Sequence, residues 1–231
     1  MSTESGIPDF RSPGGFWTRF KPIAFNEFLA SEETRLEAWR RFLMIHRMIA
    51  DAQPNSGHHA VAHLLARGHV SHVITQNIDG LHEAAGVPRD KVIEVHGNGT
   101  YAKCLGCGLR HEIAWAAQVI ETTGHPPTCT ACGGIVKSAT VSFGQPMPEQ
   151  EMADARAATL NADLFLAIGS SLQVFPAAGL PVMASHNRTP LIIINREATG
   201  LDGIAHLVIN AAIGEVLGAV LARIESADMP R

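Results

Sequence analysis

Six short apolar runs constrain the fold of this chain more than any other feature: His69–Thr75, Val92–Val95, Ala139–Phe143, Leu164–Ile168, Leu191–Ile194 and Leu207–Ile209. Most are near-continuous rather than alternating, which is the pattern of strands covered on both faces. Helix-like stretches lie between them at 34–50, 58–67, 149–160, 177–187 and 213–225. This alternation predicts an α/β chain with a doubly wound, Rossmann-like parallel sheet. The 231 residues, 46% of them hydrophobic, suffice for a buried core. Ligands of such sheets bind beyond the carboxyl ends of the strands, so the residues just after each run are read for chemistry.

Charge and segment lengths exclude several functions. Eighteen basic against 22 acidic residues give a net charge of −4, which argues against nucleic-acid binding driven by bulk charge. The apolar runs are too short to span a bilayer. The opening MSTESGIPDF has neither the basic nor the apolar region of an export signal, and the expectation is a cytoplasmic protein with no membrane partner. An excess of arginine over lysine, 14 to 4, hints at a GC-rich bacterial genome and agrees with that compartment.

The four cysteines form two pairs, Cys104 with Cys107 and Cys129 with Cys132, separated by 21 residues. In a reducing compartment two C-x2-C turns at this distance fit one tetrahedral four-thiolate zinc site rather than disulfides. Four thiolates leave no open position for substrate. The expected ion, one per chain, is therefore structural and holds together a small inserted module over 100–137. A helical insertion is expected over 24–68, with 69–99 and 138–231 forming the Rossmann-like part.

Residues after the strands are polar and specific. Gln76-Asn77-Ile78-Asp79 follows the first run, His96-Gly97-Asn98 the second, Gly169-Ser170-Ser171 the fourth and Asn195-Arg196-Glu197 the fifth. A Gly-Ser-Ser turn entering a helix offers backbone N–H groups and small hydroxyls to a phosphate or ribose. An Asn or Glu at a strand tip suits ribose hydroxyls. Four tips of this character point to a nucleotide. Histidine as a residue type titrates near neutrality, and His96 stands at a strand tip before a glycine that permits close ligand approach, which makes it the candidate general base.

The N-terminal Ser5-Gly6-Ile7-Pro8-Asp9-Phe10-Arg11-Ser12, with TQNIDGLH at 75–82, HG at 96–97, the two C-x2-C pairs, SFG at 142–144, GSSLQVFPA at 169–177 and IIIN at 192–195, resembles the sirtuins, NAD-dependent protein deacylases. The motifs occur in that family's order over nearly the whole chain. The resemblance implies that the acyl-lysine oxygen attacks C1′ of the nicotinamide ribose and displaces nicotinamide. His96 would then act as the base, and water would complete the reaction to give free lysine and O-acyl-ADP-ribose. It implies catalytic roles for His96, Asn77 and Asp79. The cofactor set would be Ser2, Phe10, Arg11, Gln76, Asn77, Ile78, Asp79, Gly169, Ser170, Ser171, Asn195, Arg196 and Glu197. An acyl-lysine protein substrate would lie as an added strand between Val141, Phe143 and Gly144 on one side and Val174 and Phe175 on the other. Protein ADP-ribosyl transfer on the same scaffold, and an acyl-lysine-binding module impaired in catalysis, remain as alternatives.

Three departures from the family stand out. Met1-Ser2 begins where the family's first strand and Gly-Ala-Gly turn have just ended, so a central strand is expected to be missing and the sheet to contain a gap. Either the start is assigned too far downstream or the chain is a truncation with weakened NAD binding. Gln145 stands where the family more often has Glu. Phe42-Leu43-Met44-Ile45 replaces the Tyr and Arg of members that prefer acidic acyl groups, so an apolar pocket and aliphatic acyl groups are expected.

Other features have plainer readings. Arg40, Arg41 and Arg47 are read as a solvated helix face, His58, His59 and His63 as capping and packing, and Met44 and Met48 as core residues.

Overall fold

The computed structural model describes residues 1–8 and 21–228. Phe10 and Arg11 therefore lie outside the described residues.

Five of the expected strands form parallel ladders. Strand β1 (Val73–Thr75) pairs in parallel with β2 (Val92–Glu94). Further along, β3 (Gly97–Cys104), β4 (Arg110–Glu112) and β5 (Val136–Thr140) make an antiparallel sheet in the order β4-β3-β5. The last three strands, β6 (Phe165–Ile168), β7 (Leu191–Ile194) and β8 (Leu207–Ile209), are parallel neighbours in sequence order. Leu191 and Ile193 of β7 are fully buried, as a central strand covered on both faces requires.

The parallel strands stand in two groups. Among the described residues no strand pairs with the second edge of β1 or of β6. These edges belong to one body: Val73 and Ile168 pack into the same apolar cluster, and Ile74 and Phe165 flank another. Both edges line a single large cleft. At its carboxyl end the cleft is bridged by Gln76 Nε2 donating to Ser170 Oγ at 3.3 Å.

Helices cover the sheets. α1 (Phe25–Ala30) and α2 (Glu32–Ala50) are separated by Ser31, whose hydroxyl accepts from Thr34 N and caps α2. Trp39, Phe42, Ile45 and Ile49 form the buried stripe of α2. Fully buried Trp39 donates its indole N–H to Val136 O at 3.1 Å and joins Cys104, Ile113 and Cys129 in one cluster, which docks the cysteine-bearing segment on this helix. α3 (Ser56–Ala66) packs on the C-terminal α8 (Ile213–Asp228) through Ala60, Val61, Ile213 and Leu217. The remaining helices are α4 (Leu81–Ala84), α5 (Ile113–Thr123), α6 (Glu149–Leu160) and α7 (Gly179–His186).

Several expectations are corrected. The run Ala139–Phe143 was expected in the parallel sheet. The strand there is β5, ending at Thr140 and antiparallel to β3, because the cysteine segment folds back on itself. The first run forms a strand only over Val73–Thr75, since the segment with polar His69, Ser71 and His72 precedes it as a bend and coil. Met44 and Met48 are exposed, at 43% and 39%. Each lies one residue, about 100° of helix rotation, from the buried Ile45 and Ile49. Arg40 and Arg47 are exposed and Arg41 pairs with Glu37 at 2.6 Å, a solvated face as expected.

His58 caps and packs, as its position predicts. Asn55 Oδ1 accepts from His58 N, and Asn55 N donates to His58 Nδ1 at 3.3 Å. The ring is fully buried with its centroid 5.1 Å from that of His82. Burial, followed by the neighbouring His82, lowers His58 from 6.5 to about 4, against the opposing pull of Asp79. The α-amino group of Met1 and His59 act in the same direction as His82. Burial lowers His82 as well. The unfolded chain takes up these protons near pH 6.5 and the folded chain only at lower pH. Their contribution to stability is therefore complete above pH 6.5 and is lost as pH falls towards 4. Tm is expected to decline across that interval, with a shallower decline in His58→Gln. An unchanged slope in the variant, measured by calorimetry, would contradict the assignment.

Candidate functional site

The strand tips meet at a cavity of about 1420 Å³. Every sequence-selected cofactor and substrate residue within the described chain lines it: Ser2, the tip Gln76 to Asp79, His96, the segment Val141, Phe143 and Gly144, the turn Gly169 to Ser171, Val174 and Phe175, and Asn195 to Glu197. The cysteines lie apart from it.

Its centre is a short hydrogen-bonded chain. Asn77 Nδ2 donates to Ser2 Oγ at 2.7 Å, and that hydroxyl donates to Asp79 Oδ2 at 2.5 Å. Asp79 is buried, and its other oxygen accepts from Leu81 N at 3.0 Å, which starts α4. His96 Nδ1 stands 3.1 Å from Gln76 O. A carbonyl only accepts, so Nδ1 carries the proton of the neutral ring and Nε2 becomes the basic nitrogen.

Gly97 makes this placement possible. Its φ is 74°, and a Cβ there would lie 2.0 Å from Ala139 O. Only glycine lets β3 leave the His96 corner against β5. Val141 N then donates to His96 O, so the candidate base and the candidate substrate edge share one backbone bond. Gln145 Oε1 accepts from Ser142 N at 3.1 Å, so the amide closes this turn through its oxygen.

The Gly169–Ser171 turn does not run directly into a helix, as had been expected. α7 begins only at Gly179, because Leu172 and the segment up to Ala178 form bends and turns first. Gly169 has φ 60°, and a Cβ there would meet the Met1 nitrogen at 2.4 Å. Ser170 Oγ accepts from Gln76 Nε2 and from Leu172 N. On the far side Asn195 Nδ2 donates to Glu197 O at 2.8 Å, and Arg196 stands 3.6 Å from Glu4.

Two supporting residues escaped the sequence reading. Glu4 accepts from Ile213 N and Gly214 N at the start of α8. Asn55 donates to Met1 O and to Ser5 Oγ while capping α3. Together they pin residues 1–5 so that Ser2 reaches Asn77 and Asp79. An Asn directly before a helix signals a cap, but its long-range partners carry no sequence signature.

The four cysteine sulfurs lie within 4.8 Å of one another, with Cys104 and Cys132 at 3.5 Å and Cys107 and Cys129 at 3.6 Å. Gly106 N and Cys107 N donate to Cys104 Sγ, stabilising a thiolate there. Four sulfurs at these separations fit a tetrahedral zinc ion with bonds of about 2.3 Å.

Known proteins add a direct comparison. The Sir2 family profile matches residues 1–176. The chain belongs to the Sir2 family. It is 54% identical over 218 residues to an NAD-dependent protein deacetylase of Rhodopseudomonas palustris, covering 94% of this chain and 86% of that protein. A protein of the same description from Thermodesulfovibrio yellowstonii is 42% identical, covering 98% and 88%. Among solved structures, one described as Sir2 with a p53 peptide and NAD+ superposes with a TM-score of 0.85 at 32% identity, covering 97% of this chain and 90% of that one. Another, Sir2Tm bound to a propionylated peptide, gives 0.83 at 32%, covering 97% and 89%. No helix among the described residues is long and apolar enough to cross a membrane.

Metal analysis of the purified protein is expected to find one zinc per chain. A structural zinc contributes on the order of 10 kcal/mol to folding, so stripping it or making Cys129→Ser should lower Tm by roughly ten degrees or more. Retained stability without the ion would exclude a structural role.

Proposed function

We propose that this chain is an NAD-dependent protein lysine deacetylase. The observation that carries the reading is the His96 ring, with its Nδ1 proton held by Gln76 O and its Nε2 left basic, in a cavity walled by polar strand tips. NAD supplies an electrophilic ribose carbon with nicotinamide as leaving group. The acetyl oxygen would replace that group, and one water, consumed as the amide C–N bond breaks, would complete the conversion to free lysine, nicotinamide and O-acetyl-ADP-ribose.

The residues of this chain divide the work. His96 accepts the proton of a ribose hydroxyl and so makes it nucleophilic towards the acyl carbon. Asn77 and Asp79, fixed through Ser2, orient the nicotinamide ribose and carboxamide. The Gly169–Ser171 turn with Asn195 and Glu197 binds the adenosine side, and Gln76 the ribose. Ile78 and Arg196 complete the cofactor wall, and Phe10 and Arg11 belong to the same set. Val141, Phe143 and Gly144 face Val174 and Phe175 across the groove for an extended acyl-lysine peptide. Phe143 and Phe175 are exposed on the groove and offer apolar surface to it.

Three units follow from this reading: the helices over 24–68, the zinc module over 100–137, and the Rossmann-like part over 69–99 and 138–231. The cysteines serve as metal ligands, not disulfides, which suits the reducing cytoplasm. The acyl pocket has an apolar floor, since buried Phe42 and Ile45 line the cavity where acid-preferring relatives carry Tyr and Arg.

Incubation with NAD and an acetyl-lysine peptide is expected to release nicotinamide only when peptide is present, together with O-acetyl-ADP-ribose. ADP-ribosylated protein in its place would identify a transferase, and no nicotinamide at all would leave a binding module. His96→Phe should lower kcat by about 10²–10⁴-fold while peptide binding persists. Acetyl and propionyl peptides should exceed succinyl peptides in kcat/KM by at least about tenfold, because an apolar floor does not repay desolvation of a carboxylate. Equal rates on both would refute that selectivity.

A further inference from the structure

Among the described residues only two that are not glycine have positive φ: Arg188 at 64°, just past the end of α7, and Leu172 at 55°. Arg188 is exposed in a helix-terminating turn, a common place for this conformation. Leu172 is different. The left-handed region costs a branched L-residue steric energy and is ordinarily left to Gly or Asn. Leu172 nevertheless buries its side chain, 8% exposed, among Ala167, Leu191 and Ile193 on the β6–β7 sheet. An apolar anchor holds the backbone in a conformation it would otherwise avoid.

This strained residue joins two sites. Before it lies the Gly169–Ser171 turn and after it the Gln173–Phe175 edge. Its N–H donates to Ser170 Oγ at 3.2 Å, the same oxygen that accepts from Gln76 at the tip of β1. Backbone strain kept in place by surrounding packing is characteristic of positions where geometry serves function.

We propose that Leu172 is a positioning residue that fixes the cofactor turn and the peptide edge as one unit, so that NAD and acyl-lysine peptide depend on it together. The proposal rests on the deacetylase reading and concerns binding rather than proton transfer. A residue that served stability alone would lower Tm and leave both KM values where they were.

The test compares Leu172→Ala, Leu172→Gly and Leu172→Met in the full chain. Leu172→Ala is expected to raise KM for NAD and for acetyl-lysine peptide by about tenfold each, with kcat within about threefold. Leu172→Gly relieves the strain but loses the anchor and should show the same double loss. Leu172→Met keeps a flexible apolar anchor and should return both KM values to within about twofold of wild type. If Leu172→Gly or Leu172→Ala leaves either KM unchanged, the proposal is overturned. Amide hydrogen exchange on the unliganded chains provides a readout that does not depend on activity, including where the wild type itself proves inactive. In both the alanine and the glycine variants, segments 169–171 and 173–175 should lose protection together while β6 and β7 keep theirs. Loss in one segment alone, or in neither, overturns the coupling whatever the enzyme does, whereas loss of wild-type turnover with joint deprotection overturns only the deacetylase reading.

Discussion

The cavity depends on one hydroxyl. Ser2 Oγ accepts from Asn77 and donates to Asp79, and through those two bonds the N-terminal segment and the tip of β1 become a single wall. A buried carboxylate needs hydrogen-bond donors on both oxygens to offset its lost hydration, and Asp79 finds them in Ser2 and in the first turn of α4. Ser2 is in turn held by contacts far from it in sequence, since Asn55 binds Met1 O and Ser5, and Glu4 closes the start of α8. The acidic side chain at that helix start answers unpaired N–H groups and the positive end of the helix at once.

The cysteine segment poses a separate problem with a related solution. It is too short to build a core of its own, and it borrows one face from Trp39 and Phe42 of α2 and its remaining cohesion from four convergent sulfurs. Trp39 spans the two parts because its ring fills the cluster and its N–H satisfies Val136 O. Strand β5, fixed by that contact at one end, delivers the Val141 edge beside His96 at the other.

Much of this was legible in the sequence because parallel strands buried on both faces are written as apolar runs, as at Leu191–Ile194. The polar tips after those runs converge because a parallel sheet puts all its carboxyl ends on one side. Strand β3 was invisible, since it begins Gly97-Asn98-Gly99 and takes its order from β5 and the cysteines rather than from hydrophobicity. Helix α5 was hidden for a similar reason: its β-branched and aromatic residues are weak helix formers, and neighbouring Cys104 and Val136 supply the packing. Met44 and Met48 misled because an i, i+4 pair specifies a stripe but not which stripe is covered. Glu4, Asn55 and Leu172 act through backbone groups and dihedral angles, which residue type alone does not encode.

The facing edges of β1 and β6 have a consequence for what the cleft between them is like inside. Val, Ile and Leu side chains line it there, yet, among the described residues, each edge also carries a row of peptide groups without a ladder partner. Such groups retain water wherever no protein donor or acceptor reaches them. The two edges therefore lay polar lines of backbone along an otherwise apolar stretch of wall.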